Sequence, residues 1–246
     1  MFDFINIKGI NIINEKPEIF IYKLFLEKGK NQLISYINAY LFLELQKNSE
    51  LKNIINKFYV IPDGFGIYLL SRFLYGRKGL KERVVSTDVW IDILNICRQT
   101  KKKVFFFGGH KLTKEEFYDS IKRRFPGLIV EGYNNGYSYD TLKIITEINK
   151  VNPDILIVGL GTPKQEKWIS YNFSKLNVPI ILSVGSAIDF YSGYKKRAPE
   201  FMRRYALEWL YRLFQEPKRL WKRYLLGIPV FMFKMLIFKF NLRKNK

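Results

Sequence analysis

Cysteine and histidine are nearly absent from this chain of 246 residues, which holds only Cys97 and His110. A lone cysteine cannot form an intrachain disulfide, and one residue of each kind cannot build a Cys/His zinc site. Both scarcities fit a reducing cytoplasm. The opening stretch MFDFINIKGINIINEKPEIF carries two acids in its first fifteen residues and lacks a basic start followed by an apolar run, so it does not read as a signal peptide. Long apolar runs are missing as well. The longest uncharged apolar stretch of the C-terminal region, Tyr224 to Phe233, has ten residues, about half of the ~20 that cross a bilayer as a helix. The expectation is a segment lying on a surface rather than spanning it. No repeat of fixed period, no low-complexity tract, no G-x-x-x-x-G-K-[ST] and no G-x-G-x-x-G occurs.

Acids are also few. Lys and Arg number 42 against 22 Asp and Glu, a formal net charge of +20, and such a charge calls for anionic partners: nucleic acid, phosphorylated substrates or a membrane. The excess is concentrated, because residues 195–246 hold 15 basic and 3 acidic side chains, net +12, leaving +8 for the 194 residues before them. The 48% of hydrophobic residues can build a sizeable core, which excludes disorder and fibrous architectures.

Short β-rich runs alternate with helical patterns: QLISYI then NAYLFLELQKN, NKFYVI then FGIYLLSRFLYG, KKKVFFFGG then TKEEFYDSIKRRF, GLIVEG then DTLKIITEINK, DILIVGLG then KQEKWISYNFSKL, and finally PIILSVG. This alternation predicts an α/β fold with a largely parallel, Rossmann-like sheet and helices on both faces. VFFFGG, DILIVGLG and PIILSVG are continuous apolar runs ending in glycine, as central strands covered on both faces should be, and ligands then belong at the strands' carboxyl ends. The clearest change of composition falls near Gly193. Residues 1–194 read as the α/β domain and 195–246 as a basic helical appendage, in which APEFMRRYALEWLYRLFQ forms one helix, broken at Pro217 from a second basic and aromatic segment.

Several loops can carry chemistry, and each has a plain structural alternative. In IPDGFGI, Asp63 stands at a strand end beside two glycines, a good place for a base; the same Pro-Asp-Gly is also ordinary turn chemistry, which the residues alone favour. Gly108 and Gly109 precede a helix with Thr113 and Glu116 at capping-box spacing, open either to a phosphate or to a tight βα turn. In VGLGTPKQEKW, Gly159 and Gly161 clear a strand end while Lys164, Gln165 and Glu166 enter a helix, to read a base or sugar or simply to face water. SVGSAIDFYSGYKKRAP places Asp189 and Lys196 or Arg197 past a strand end in the same ambiguous way. Pattern alone stops at a ligand-binding α/β protein.

Taken together, the segments Asn38-Ala39, Pro62-Asp63-Gly64-x-Gly66, Glu82-Arg83-Val84 with Thr87-Asp88, FGG at 107–109, FPGL at 125–128, GY at 136–137, NPD at 152–154, VGLGTPKQEKW, VGSAIDFYSGYKKRAPEF and LEWLYRLFQEPKRLWKRY resemble the WecG/TagA/CpsF family of bacterial glycosyltransferases. They occur in family order from about residue 31 to residue 224. The resemblance implies transfer of a sugar from a nucleotide donor, expected to be UDP-linked, to a polyprenyl-diphosphate-linked sugar in cell-surface glycan assembly. Asp63 is then the base that takes the acceptor's proton as the anomeric centre inverts. The donor site it implies is lined by Tyr36, Asn38, Arg83, Gly109, Tyr137, Gly159, Gln165 and Asp189. The chain contains no Asp-x-Asp metal signature, so neither a metal nor another cofactor is expected, and the leaving diphosphate must be met by cations and backbone N–H groups. Tyr36 stands where the family often has Thr, and Ser86 and Ser186 where it often has Gly; these departures bear on sugar specificity.

Arg212, Arg219 and the Lys222-Arg223 pair match the family's C-terminal basic residues, with Lys222 at a frequent Arg position. Arginine forks suit diphosphate oxygens, whereas lysine is a point charge. Residues 218–246 contain nine basic residues and no acid, interleaved with aromatics, which favours an anionic membrane surface over packing on the same or a neighbouring subunit. The expected place is therefore the inner face of the cell membrane, peripherally bound, with a homo-oligomer left open. The rival reading is a non-catalytic, basic nucleic-acid-binding module. Against it stand the apolar residues beside the charge and the lack of any nucleic-acid motif, so nucleic acid is not an expected partner.

Overall fold

The computed structural model describes residues 2–27 and 31–244, with side chains through 241. A hairpin of β1 (Phe4–Ile7) and β2 (Ile10–Ile13) leads through α1 (Pro17–Leu26) to β3 (Gln32–Ile37), α2 (Ala39–Leu45), α3 (Ser49–Ile55), β4 (Tyr59–Pro62), α4 (Gly64–Tyr75) and α5 (Ser86–Gln99). There follow β5 (Lys103–Gly108), α6 (Lys114–Arg124), β6 (Ile129–Asn134), α7 (Thr141–Val151), β7 (Ile155–Gly159), α8 (Lys164–Asn172), β8 (Ile180–Ser183) and α9 (Ala187–Tyr191). The appendage holds α10 (Glu200–Arg204), α11 (Glu208–Gln215), α12 (Pro217–Trp221) and α13 (Gly227–Lys244).

The eight strands form one sheet in the order β1-β2-β4-β3-β8-β7-β5-β6, and every pairing is parallel except the β1–β2 hairpin. The expected α/β fold with helices on both faces is the one observed, and strand periodicity explains it. In KVFFFG, Phe105 and Phe107 bury into one core while Val104 and Phe106 bury into the other; in ILIVG, Leu156 and Val158 separate from Ile155 and Ile157 in the same way. The first core is closed by side chains of α2, α3, α4, α7, α8 and α13, the second by α1, α5, α6 and α9. A strand that must satisfy two cores has no polar face, which is why these runs are continuous and apolar.

The alternation read from the sequence leaves out the β1–β2 hairpin, α1, α3, α5 and α9. The β1–β2 hairpin turns through Lys8 and Gly9, both at positive φ, as a two-residue turn with this twist requires; Lys-Gly is a weaker signal for it than Asn-Gly. Helix α1 starts on Pro17 at its first position. Helix α5 buries Ser86, Val89, Trp90, Ile93, Leu94 and Cys97, a three-and-four spacing with a polar outer face.

The appendage differs from the expected pair of helices. What reads as one helix from Ala198 to Gln215 is interrupted at Ala206, whose φ of 59° ends α10 before α11 begins. Pro217, in turn, starts a helix rather than breaking one, since the first turn has no use for its missing N–H. From Pro217 the chain stays helical to Asn241, 25 residues with mean hydropathy 1.4 in their most apolar part, long and apolar enough to cross a membrane by length and composition. The uncharged run from Tyr224 to Phe233 ends at Lys234, but the helix continues past Lys234 and Lys239. A π-helical turn at Lys222–Leu226 precedes Pro229, which cannot donate to the carbonyl four residues back and would clash with it in a regular helix.

Candidate active site

The loops after β3, β4, β5, β7 and β8 converge on one cleft at the carboxyl ends of the strands, roofed by the appendage. Its volume is about 870 Å³, within the ~300–1,000 Å³ of sites that enclose small molecules. Its walls include Tyr36, Asn38, Asp63, Gly109, Tyr137, Gly159 and Asp189 from the α/β layer and Lys195, Arg212, Arg219 and Arg223 from beyond it.

Asp63 sits between β4 and α4. It precedes Gly64, which adopts φ 79° and has nothing near the position of a side chain, so glycine is needed there for its backbone freedom alone. The Asp63 N–H donates to the Ile37 carbonyl at 2.8 Å and the Gly64 N–H to the Val84 carbonyl at 2.8 Å, fixing the loop between two neighbours. Although Asp63 occupies the N-cap position of α4, its side chain makes no cap bond there. Its Oδ1 instead accepts the backbone N–H of Ser86, the first residue of α5, at 2.9 Å, and Oδ2 has no hydrogen-bond partner among the described residues. The carboxylate is thus aimed by a second helix, and one of its oxygens is left for chemistry.

The glycines after β5 and β7 have a steric reason. A Cβ on Gly108 would lie 2.4 Å from the backbone of Gly159, one on Gly109 2.6 Å from Ile188, and one on Gly159 2.7 Å from the Gly185 carbonyl. The strand ends approach too closely for any side chain, and backbone lines that part of the cleft. Asn38 caps α2, its Oδ1 accepting from the Leu41 N–H at 3.1 Å. Tyr36 reaches over Gly185, where its hydroxyl would be 2.5 Å from a Cβ, and lies 3.3 Å from the Thr162 hydroxyl. Burial, with the nearby Glu166 charge adding to it, pushes the Tyr36 phenol up to about 12. On the far wall, His110 stacks on Tyr194 with ring centroids 3.5 Å apart, and Tyr137 meets His110 edge-on at 6.2 Å.

Gln165 does not line the cleft; it is buried beneath it. Its amide donates to Ser183 Oγ at 2.9 Å and Glu166 Oε1 at 2.7 Å, and its carbonyl accepts the Gly185 N–H at 2.9 Å. Glu166 is fully buried and also accepts from the hydroxyls of Ser35 and Ser183. Burial raises its carboxyl above the usual range, against the pull of those hydrogen bonds. This network was not distinguished in the sequence, where KQEK at a helix start has the composition of a solvated first turn.

Asp189 is buried and paired with Lys195 at 2.8 Å, while its Oδ1 is buried without a partner. Lys195 continues to Glu216 at 3.1 Å, and Glu216 to Arg219 at 2.6 Å. Burial opposes ionisation of Glu216, but Arg219 and Lys195 together hold its carboxyl below the usual range. Arg212 donates to Glu208 at 2.7 Å and lies over the Phe190 ring; burial works against its charge, but Glu208 and more distant anions outweigh it. Arg223 lies 4.7 Å from the centre of the Tyr40 ring.

Besides Gln165, two more of the residues expected in the site are elsewhere. Arg83 does not reach the polar cleft; it donates to the carbonyls of Arg203 at 2.7 Å and Arg204 at 3.4 Å, holding the end of α10. Lys222 is exposed, 5.5 Å from the neighbouring Trp221 ring, and lines neither this cleft nor the cavity beside it. Among the described residues no group of three or more His, Cys, Asp or Glu is placed to hold a metal ion.

The profile of the "Glycosyl transferase WecG/TagA/CpsF family" matches residues 5–245. The chain belongs to this family. As a member of the WecG/TagA/CpsF glycosyltransferases it is an enzyme, and the non-catalytic reading of its basic charge falls. An N-acetylglucosaminyldiphosphoundecaprenol N-acetyl-beta-D-mannosaminyltransferase of Bacillus spizizenii is 32% identical over 213 residues, 86% of this chain and 81% of that protein. The enzyme of the same name from Bacillus subtilis is 31% identical over 88% of this chain and 84% of its own length. One from Staphylococcus aureus is 26% identical over 91% and 84%. The family match spans both the α/β layers and the appendage.

Proposed function

We propose that this glycosyltransferase moves an N-acetylmannosaminyl group from a UDP-linked donor to an N-acetylglucosaminyl diphosphate carried on a polyprenol, with inversion and without a metal ion. The relatives' names supply the sugars. The observation that carries the mechanism is the position of Asp63, which lines the polar cleft together with Arg212 and Arg223. Its free Oδ2 takes the proton of an acceptor hydroxyl as that oxygen bonds to the anomeric carbon; the bond from this carbon to the donor diphosphate breaks, and UDP leaves. A single displacement of this kind inverts the centre. Charge growing on the donor diphosphate is met by Arg219 and by backbone N–H groups at the strand ends, in a partly enclosed site where such contacts are strong, while Arg212 and Arg223 face the acceptor's phosphates. The His110, Tyr137 and Tyr194 rings suit stacking of the base, and the unpartnered Asp189 Oδ1 suits a hydroxyl or ring N–H of the nucleoside.

In this reading residues 1–194 bind the donor, and residues 195–246 supply the phosphate clamp and the contact with an anionic membrane on its cytoplasmic side. Of the most apolar part of helix 217–241 only 11% is buried. Phe231 and Met235 pack inward while Phe233, Leu236 and Phe240 stay exposed, so the helix is apolar on its outer side as well as its inner one, a surface suited to the apolar layer of a membrane.

The test is Asp63→Asn, which keeps the shape but cannot take the proton. Turnover should fall by roughly 10²–10⁴ with UDP affinity changed less than about twofold. Wild-type turnover in this variant would remove Asp63 as the base. Turnover should also persist in EDTA; strict dependence on a divalent ion would overturn the metal-free account of the leaving group.

A further inference from the structure

A second cavity, of about 460 Å³, opens between α4, α11 and α13. It shares Asn38, Tyr40, Asp63, Arg212, Arg223 and Tyr224 with the polar cleft, so the two meet at the base and at two arginines. Beyond that seam its character changes. The walls are mostly apolar, built from Leu43, Phe65, Leu69, Trp209, Met232 and Met235, with Arg83, Arg203 and Glu208 also lining the cavity, and Phe65, Leu69 and Met232 are 48%, 38% and 56% exposed. Helix packing forms this groove. At its base α4 comes close to α2 and α13, because a Cβ on Gly66 would meet Ala39 at 3.1 Å and the Phe231 ring at 3.6 Å.

We propose that this groove binds the isoprene units next to the diphosphate of the lipid-linked acceptor. The proposal rests on the acceptor class assigned above and deepens it. The order of chemistry along the protein is polar cleft, arginine pair, apolar groove; the order along a polyprenyl-diphosphate sugar is sugar hydroxyl, diphosphate, isoprene. Matching the two places the reacting hydroxyl at Asp63, the phosphates at Arg212 and Arg223, and the apolar chain where the side chains are apolar. A water-soluble acceptor has no group that would repay covering this surface, whereas isoprene units bury it at the cost only of their own ordering. The groove takes the first units of the chain, and the remainder is left to the bilayer.

The test uses the full chain in buffer free of detergent and vesicles, with N-acetylglucosaminyl diphosphate esterified to farnesol or to ethanol. The farnesyl acceptor should have a KM at least tenfold below that of the ethyl acceptor. Leu69→Trp, which fills the groove away from the seam, should shrink that ratio at least fivefold, and the volume-conserving Leu69→Met should keep it. Calorimetric titration with farnesyl diphosphate and ethyl diphosphate supplies a readout independent of turnover, and should show the same preference and the same loss in Leu69→Trp. A wild-type enzyme indifferent to the tail in both assays overturns the proposal, as does a preference that Leu69→Trp leaves intact. Preference that appears only when vesicles are added assigns the groove to bilayer lipid and also overturns it. If neither acceptor is glycosylated but farnesyl diphosphate binds with the expected preference, the groove stands and the assigned reaction fails.

Discussion

Phenylalanine meets opposite fates in the central strand β5 and on the outer side of the appendage. Phe105, Phe106 and Phe107 of β5 are completely buried, whereas Phe214, Phe233 and Phe240 of the appendage are 75%, 64% and 60% exposed. The same side chain is therefore buried by the chain itself in β5 and left largely exposed at these positions of the appendage. The charge follows the division, since the appendage carries net +12 in 52 residues. The appendage gives Phe231 and Met235 to the core and keeps an apolar, cationic outer side, which in the proposed reading meets an anionic lipid surface.

The contrast breaks most visibly in β5. Phe106→Ala, which removes a ring packed 5.1 Å from Phe117, should cost about 3–5 kcal/mol in denaturant unfolding; a loss below 1 kcal/mol would mean that the sheet core is not the stable part. Phe233→Ser should leave unfolding within about 0.5 kcal/mol of wild type while weakening binding to anionic vesicles about tenfold. An equal loss of stability at both positions would erase the distinction between the regions.

Buried polar groups sharpen the comparison. Glu166 has its carboxyl raised above its ordinary value of 4.5. Such a group stabilises the fold fully below the pKa of the unfolded chain and loses that contribution as pH rises through its folded pKa. Glu166→Gln keeps the acceptor oxygen and removes the titration. Its stability should match wild type near pH 4, gain on it as pH rises, and level off once the wild-type carboxyl ionises in the folded protein, measured by denaturant midpoints across the range. A gap independent of pH would show that Glu166 does not titrate with folding. The smallest effect belongs to Cys97, which is buried and whose thiol burial pushes up to about 12. It should resist a maleimide at neutral pH until the protein unfolds, as mass spectrometry would show.

The sheet was legible because strand burial on two faces requires apolar runs, and the runs at 103–108, 155–159 and 180–183 have little else they can be. The Asp63 loop was legible as a glycine-flanked strand end and a family motif, although the residues alone favour an ordinary turn. Helix α5 was overlooked despite a regular buried stripe, and the hairpin because Lys-Gly is an uncommon tight turn. The break at Ala206 has no sequence signal, since a positive φ at alanine is a strained choice that only surrounding contacts can impose.

Local sequence by itself determined the alternation of strands and helices, the glycines at the strand ends and the concentration of charge beyond residue 194. These follow from periodicity, backbone freedom and composition, each a property of a few neighbouring residues. Only the tertiary structure decided that Ser86 aims Asp63, that Gln165 and Glu166 lie beneath the cleft while Arg83 holds α10, and that a polar cleft and an apolar groove meet at Arg212 and Arg223. Those outcomes depend on partners 20 or more residues away, such as Ser86 and Asp63 at a separation of 23 or Arg83 and Arg203 at 120. The composition of a loop does not specify which distant backbone will complete its hydrogen bonds.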